Sequence, residues 1–299
     1  MSPSLDAFIA SLKTIPEHYR LAQIKEYIRN AENAEERSEL EVLLILSDKL
    51  GVIHEPENLI ITIHGIRTHA FWQNTVERLI KQKSKALVFN LGYEYFDAFR
   101  FWLPFLRRSP IERILDEIRV IIANHPNATI AIVAHSFGSY IVSEILSKED
   151  IKLTRVQLCG SIISEKYPWY KVKHRLHGTV INDVGVKDIW PIMAKAFSWG
   201  YGASGTFGFK RSYVENRYFD YSHSDYMHTK HISRYWVPFL LHGQIKKSTF
   251  SVENYKVPYW MSLISFLPVK TIIVAIFICL FYRYEIVRFL STLFARVWV

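Results

Sequence analysis

Five residues, Ala134-His135-Ser136-Phe137-Gly138, interrupt an apolar stretch that reads as a strand before them and as a helix after them. A serine hydroxyl becomes a useful nucleophile only when a base takes its proton and a sharp bend lifts it clear of the chain. Small residues at 134 and 138 permit such a bend, because strand and helix can then pack close around it. A tight turn with no chemistry also holds a serine, so the partners elsewhere in the chain carry the argument. His64-Gly65 follows the apolar run 59–63, Asp183 and Asp188 follow the run 179–181, and His223, His228, His231 and His242 crowd residues 218–243. Serine, imidazole and carboxylate are the set needed for acyl transfer through a covalent intermediate, helped by two N–H groups aimed at the oxyanion. The four histidines also raise a metal site. Only His228-x-x-His231 has a familiar zinc spacing, so neither a metal nor any other cofactor is expected.

An A-H-S-F-G turn with H-G upstream resembles the α/β-hydrolase superfamily, over roughly residues 55–245. Alanine replaces the first glycine of the G-x-S-x-G pattern and is small enough to serve. The resemblance implies a serine esterase or lipase with Ser136 as nucleophile and the backbone amides of Ile66 and Phe137 as oxyanion hole. It implies an acid as Asp-x-x-Pro a few residues past a strand, which favours Asp188 (with Pro191) over Asp183. It implies the order Ser, Asp, His, which favours His223, first after the strand-like run 213–219, with His228 next. His64, Gly65, His135, Trp199 and Tyr201 are expected to contact substrate, while Arg67 and His69 either line the site or fix its loop. Two stretches rich in aromatics, 90–108 and 196–212, suit the walls of an acyl pocket, or simply core packing. Arg107, Arg108, Lys210 and Arg211 read as solvated charges, with lipid phosphates as the alternative.

The elements that must position these residues show in the periodicity. Short runs rich in β-branched residues at 59–63, 86–89, 129–134, 156–159 and 179–181 suit strands buried on both faces. Between them lie a helix at 71–81 and another opening at Ser109-Pro110, with Glu112 completing a capping box. The alternation predicts an α/β fold, an α/β-hydrolase-type doubly wound and mostly parallel sheet. Residues 1–52 read as a helical extension, with capping boxes at Thr14–Glu17 and Ser38–Glu41 and a stop at Gly51. The catalytic domain is placed at 53–250 and a separate hydrophobic tail at 257–299.

That tail sets the expected partner. Residues 258–282 contain one charge, Lys270, and are long enough to cross a bilayer, although Pro268 and Lys270 fall near the middle. Residues 286–297 keep helical apolar spacing, as a helix lying at a membrane surface would, with Tyr259, Trp260, Tyr282 and Trp298 as interfacial aromatics. Basic residues flank both sides, which favours an insertion broken at Pro268 over a single pass. The 37 basic and 28 acidic residues give +9, suited to an acidic membrane surface. No Lys/Arg block marks a nucleic-acid partner. The two cysteines, Cys159 and Cys279, sit in apolar runs and predict no disulfide. No secretory signal opens the sequence, so the catalytic domain is expected on the cytoplasmic face of a membrane. The sequence expectation is therefore a membrane-attached serine hydrolase of lipid or phospholipid acyl esters, and a homo-oligomer is compatible with it. A thioesterase, acyltransferase or peptidase on the same triad, or a membrane-tethered binding protein, fits the same residues.

Overall fold

Six runs dominated by Ile, Val and Leu form one sheet, and their order in it decides where the chemistry-bearing residues meet. The computed structural model describes residues 17–31, 33–49, 58–65, 71–92, 101, 103–210, 213–251 and 257–297. The strands are β1 (Asn58–Ile63), β2 (Leu87–Leu91), β3 (Thr129–His135), β4 (Leu153–Cys159), β5 (Leu176–Gly185) and β6 (Val214–Phe219). All five neighbouring pairs are parallel, in the order β2-β1-β3-β4-β5-β6. The longer helices are α1 (Glu17–Asn30), α2 (Ala34–Lys49), α3 (Phe71–Lys81), α4 (Arg108–Asn124), α5 (Phe137–Lys148), α6 (Trp190–Phe197), α7 (Tyr259–Phe266) and α8 (Val269–Val297).

The pleat sorts each strand's side chains into two layers, because successive residues point to opposite faces. Leu59, Ile61 and Ile63 of β1 pack on the α4 and α5 side, with Ile114, Leu115, Ile118, Ile141 and Val142. Ile60 of β1, with Ala131 and Val133 of β3, packs on the other side against Trp72, Val76 and Ile80 of α3 and Ile232, Trp236 and Leu240 near the end of the domain. Burial on both faces is why these strands read as continuous apolar runs. The doubly wound α/β sheet expected from the alternation is present, and wholly parallel among the described residues.

The chain leaves β1 outward to β2, then crosses back over β1 to β3. Strand order reverses between β1 and β3, and in open α/β sheets ligands bind outside the carboxyl ends of the strands at such a reversal. Ile63 pairs with Ala134, so His64-Gly65 and Ser136 leave the sheet side by side.

Three local expectations fail. Ser38 lies inside α2, whose cap is Asn33: its Oδ1 accepts the Glu36 N–H at 2.8 Å. Ser109 lies inside α4, because the 3₁₀ turn Pro104–Arg107 runs straight into that helix and no side chain caps it. Residues 286–297 form no separate surface helix but continue α8 from Val269. Of the Thr14–Glu17 box only Glu17 is described, as the first residue of α1, and Gly51 lies outside the described residues.

The tail is not detached from the α/β domain. Met261 of α7 is buried in a cluster with Ile192 of α6 and Ala203. The Lys270 ammonium donates to the Lys195 and Ser198 carbonyls at 3.0 and 2.9 Å, so a cation from α8 satisfies carbonyls at the end of α6. The apolar tail's one charge is thus absorbed by the domain. Among the described residues no single helix is long and apolar enough to cross a membrane. The pair Tyr259–Phe266 and Val269–Arg288, bent by 45°, meets the requirement together by length and composition.

A chain ending at 257 should therefore melt below one ending at 273. Exposing the Met261 site costs about 1.5–3 kcal/mol, roughly 5 °C for a domain of this size. Thermal unfolding of the two truncations, followed by circular dichroism, checks it; equal melting temperatures would make the tail a mere appendage.

Candidate active site

The turn between β3 and α5 carries the one non-glycine residue with positive φ among those described: Ser136, at φ 53°, ψ −119°. L-residues avoid this region at a cost of about 1–3 kcal/mol, and it persists only where surrounding packing enforces it. Here the enforcement is visible. The Ser136 N–H donates to the Cys159 carbonyl at the end of β4, and Ser139 returns a backbone and a hydroxyl hydrogen bond to the Ser136 carbonyl. A Cβ on Gly138 would overlap the Ile63 carbonyl oxygen, so only glycine lets α5 start this close to β1. A Cβ on Gly65 would fall 2.7 Å from Ser136 Cβ, which places the His64-Gly65 turn directly against the serine. Phe137 opens α5, and its amide belongs to the first turn, whose N–H groups have no carbonyl of their own helix to bond. Ile66, expected as the other oxyanion donor, lies outside the described residues, as do Arg67 and His69.

Asp188 sits three residues past β5, on a loop tied to β6. Val186 and Lys187 donate to the Phe219 and Tyr221 carbonyls, and Asp188 closes a turn onto Gly185. Its carboxylate is fully buried and accepts the Trp190 N–H at 3.1 Å as α6 begins. Thr206 bonds its backbone carbonyl. The same carboxylate faces His223, with Oδ2 2.8 Å and Oδ1 3.1 Å from Nδ1. A carboxylate acceptor there selects the tautomer with hydrogen on Nδ1 and leaves Nε2 as the basic lone pair. His223 lies on the loop after β6, braced by Asp225, whose Oδ2 accepts both the N–H and the hydroxyl of Ser222. The His223 side chain is 16% exposed, flanked by the rings of His135 and Trp190.

Asp183 has a different environment. It lies inside β5 opposite Arg217 of β6, and the two form a buried two-pronged ion pair at 2.7 and 3.1 Å. His231 Nε2 and Trp236 Nε1 also donate to its Oδ2, at 2.9 and 2.8 Å. Burial pushes its pKa up, but the Arg217 charge and the His231 and Arg217 hydrogen bonds outweigh that and hold it at about 2. His228 and His242 are exposed, and no cluster of metal-ligating side chains occurs among the described residues.

Several residues expected at the substrate stand elsewhere. The His135 ring is fully buried and bonded to the His223 backbone, so it offers no wall to a substrate. Tyr201 is buried, stacked on Phe101 at 4.5 Å and edge-on to Phe137. Trp199 is half-buried, and its carbonyl accepts from Arg107 at 2.8 Å. The His64 ring turns toward Gly92 at the end of β2, where a Cβ would meet its Nε2, and its Nδ1 donates to the Gly65 carbonyl. Arg107 is not a surface charge: it is 1% exposed, donates to Phe101, Trp199 and Ser198, and lies 3.8 Å over the Tyr201 ring. Sequence reasoning missed it because two of its acceptors, the Trp199 carbonyl and the Ser198 hydroxyl, come some ninety residues later. Residues 93–100, the centre of one aromatic stretch, are outside the described residues.

The two aspartates should separate in stability measurements. Asp183→Asn strands a buried guanidinium and should cost about 3–5 kcal/mol, well above the loss for Asp188→Asn. A depressed carboxylate stabilises the fold above its unfolded pKa, near 3.8, and that contribution, about 2 kcal/mol, is lost as pH falls from about 4 through about 2. Urea unfolding at pH 7 and pH 2.5 checks both, since the Asp183→Asn protein should lack this acid-dependent loss.

No protein-family model matches the chain, and no curated protein matches it. Among solved structures the chain is similar to the Pyrococcus furiosus esterase Pf2001, at 12% identity over 60% of this chain and 77% of that one, with a TM-score of 0.38. It is also similar to an uncharacterized protein from Bacillus cereus, at 12% identity over 76% of each chain, with a TM-score of 0.44. Scores this low leave the activity to be argued from the site itself.

Proposed function

We propose that the chain is a membrane-attached serine hydrolase that cleaves carboxylic esters, with lipid acyl esters as the substrate class. The observation that carries this reading is the buried Asp188 carboxylate on Nδ1 of His223, whose ring lies 4.5 Å from that of His135, the residue before a serine held at positive φ where strand order reverses. Strain of this kind is kept at sites that use it, and a carboxylate on one imidazole nitrogen frees the other as a base.

Ser136 Oγ attacks the ester carbonyl carbon and gives its proton to His223 Nε2. Asp188 holds the imidazole in the required tautomer and stabilises the imidazolium. The carbonyl oxygen becomes an oxyanion, received by the Phe137 amide and, on the expectation from sequence, that of Ile66. Collapse expels the alcohol, protonated by His223, and leaves an acyl group on Ser136. Water then gives a proton to His223 and attacks the acyl carbon; the bond to Ser136 Oγ breaks, His223 returns its proton to that oxygen, and the acid leaves. The protein's groups balance every proton without a cofactor.

Membrane attachment draws support from the tail. Along α8 the apolar residues from Ile272 to Leu290 are exposed on successive turns around the helix, and the outer face of α7 presents Tyr259, Trp260, Leu263 and Phe266. Exposed apolar helix surface is stable when something covers it, and the bent pair of α7 and α8 together has the length and composition that a bilayer takes.

A fluorophosphonate probe should label the full-length protein, and Ser136→Ala should abolish labelling and turnover without shifting the melting temperature. Asp188→Asn should lower kcat by about 10⁴-fold and His223→Ala by at least about 10³-fold. No labelling of the folded wild type would overturn the hydrolase reading. In flotation with vesicles containing phosphatidylserine, the full chain should rise with the lipid. The chain ending at 273 should stay below yet still hydrolyse p-nitrophenyl butyrate; co-flotation of both would place the membrane contact outside α8.

A further inference from the structure

We propose that His135 is a positioning residue that holds the His223 loop at a set distance from Ser136, through a hydrogen bond from its Nε2 to the His223 backbone carbonyl. The proposal rests on the reading of Ser136 and His223 as nucleophile and base. His135 is the last residue of β3 and precedes the serine, so its backbone cannot move without moving Ser136. Its Nε2 lies 2.9 Å from the His223 carbonyl oxygen. A carbonyl only accepts, so Nε2 carries the hydrogen and Nδ1 is a bare lone pair. Nδ1 has no hydrogen-bond partner among the described residues. The imidazole is therefore present for its far tip, which reaches from the serine strand to the base loop.

Backbone closes on the ring from two sides. A Cβ on Gly65 would come within 3.1 Å of Nδ1, and one on Gly160, itself at φ 53°, within 3.1 Å of Nε2. The second would also lie 3.0 Å from His223 Cε1. One imidazole thus spaces the His64-Gly65 turn, the end of β4 and the His223 loop around the serine. Full burial, and then the charge that His223 carries when protonated 4.5 Å away, keep His135 neutral well below the usual histidine range. Neutrality matters because a second cation beside His223 would oppose the imidazolium that each half-reaction forms. The brace therefore adds no charge while the base beside it takes and returns a proton.

The test compares His135→Phe, which keeps a flat ring without the donor, and His135→Gln, which offers a donor on a longer arm, in the full-length protein. With p-nitrophenyl butyrate, the Phe variant should lose about 10²-fold in kcat, the scale of a catalytic group misplaced by about 1 Å, with KM nearly unchanged. Gln should recover a substantial part, and fluorophosphonate labelling rates should follow kcat. Wild-type kcat in the Phe variant would overturn the proposal. A raised KM at unchanged kcat would instead make the ring a substrate contact, and equal losses in both variants with equal drops in melting temperature would make it a space-filler. If the variants do not fold, the imidazole ¹⁵N spectrum of the wild type decides. A slowly exchanging Nε2 proton on a neutral His135 down to pH 5 supports the brace, and an Nδ1–H tautomer or a titrating ring overturns it. Absence of probe labelling in the wild type would fail the hydrolase reading alone, since the spectrum still reads the hydrogen bond.

Discussion

The start of α5 lies so near the end of β1 that residue 138 has no room for a methyl group. This backbone-to-backbone approach, Gly138 against the Ile63 carbonyl, is the constraint on which the carboxyl edge of the sheet depends. It requires the chain to turn from β3 into α5 within one residue, and that residue is Ser136 in an unfavourable conformation. Strain of about 1–3 kcal/mol is small against what the turn makes possible. Ile141, Val142, Ile145 and Leu146 of α5 are buried against the sheet, each worth about 1.5–3 kcal/mol. The packing of a hydrophobic helix thus enforces the geometry of a polar site.

The two aspartates, five residues apart, show how position along one strand assigns opposite duties. Asp183 lies within β5, where its cross-strand neighbour is Arg217, and four donors saturate its oxygens. Such a carboxylate is locked; a proton on it would remove acceptors from a buried guanidinium. Asp188 lies beyond the strand, held by its backbone and one N–H of α6, and keeps a face for an imidazole. The same contrast separates His231, donating into the locked cluster, from His223, which turns a basic nitrogen away from its carboxylate.

Much of this was legible in the sequence where the signal was local. A serine between two small residues, a strand-like run before it and an apolar helix after it specify the β3–α5 turn, and the alternation of short apolar runs specifies the sheet. Asp188 was favoured over Asp183 by the Asp-x-x-Pro pattern of the resemblance; that Asp183 lies inside β5, bound across the sheet to Arg217, was hidden, because the apolar run stops at 181. What depended on side-chain direction was not legible. His135 and Ser136 are adjacent, yet one points into the domain and the other sits on the bend, so the histidine type alone suggested a substrate contact. Arg107 was opaque for a different reason: a buried guanidinium needs distant acceptors that no local pattern announces. The [ST]-x-x-E boxes misplaced two helix starts because four residues cannot outweigh a better cap at Asn33 or a chain already helical at Arg107.

Lys270 looks, in the sequence, like a charge stranded in the middle of a membrane segment. In the fold it is a peg: its ammonium closes the end of α6, the helix that opens two residues after Asp188. The rod that leaves the domain therefore begins at Thr271, and its next charge is Arg283. The uncharged run between them spans about 18 Å at 1.5 Å per residue, against about 30 Å of hydrocarbon in a bilayer. It is a reach of little more than one leaflet, made from a helix whose base is pinned beside the carboxylate loop.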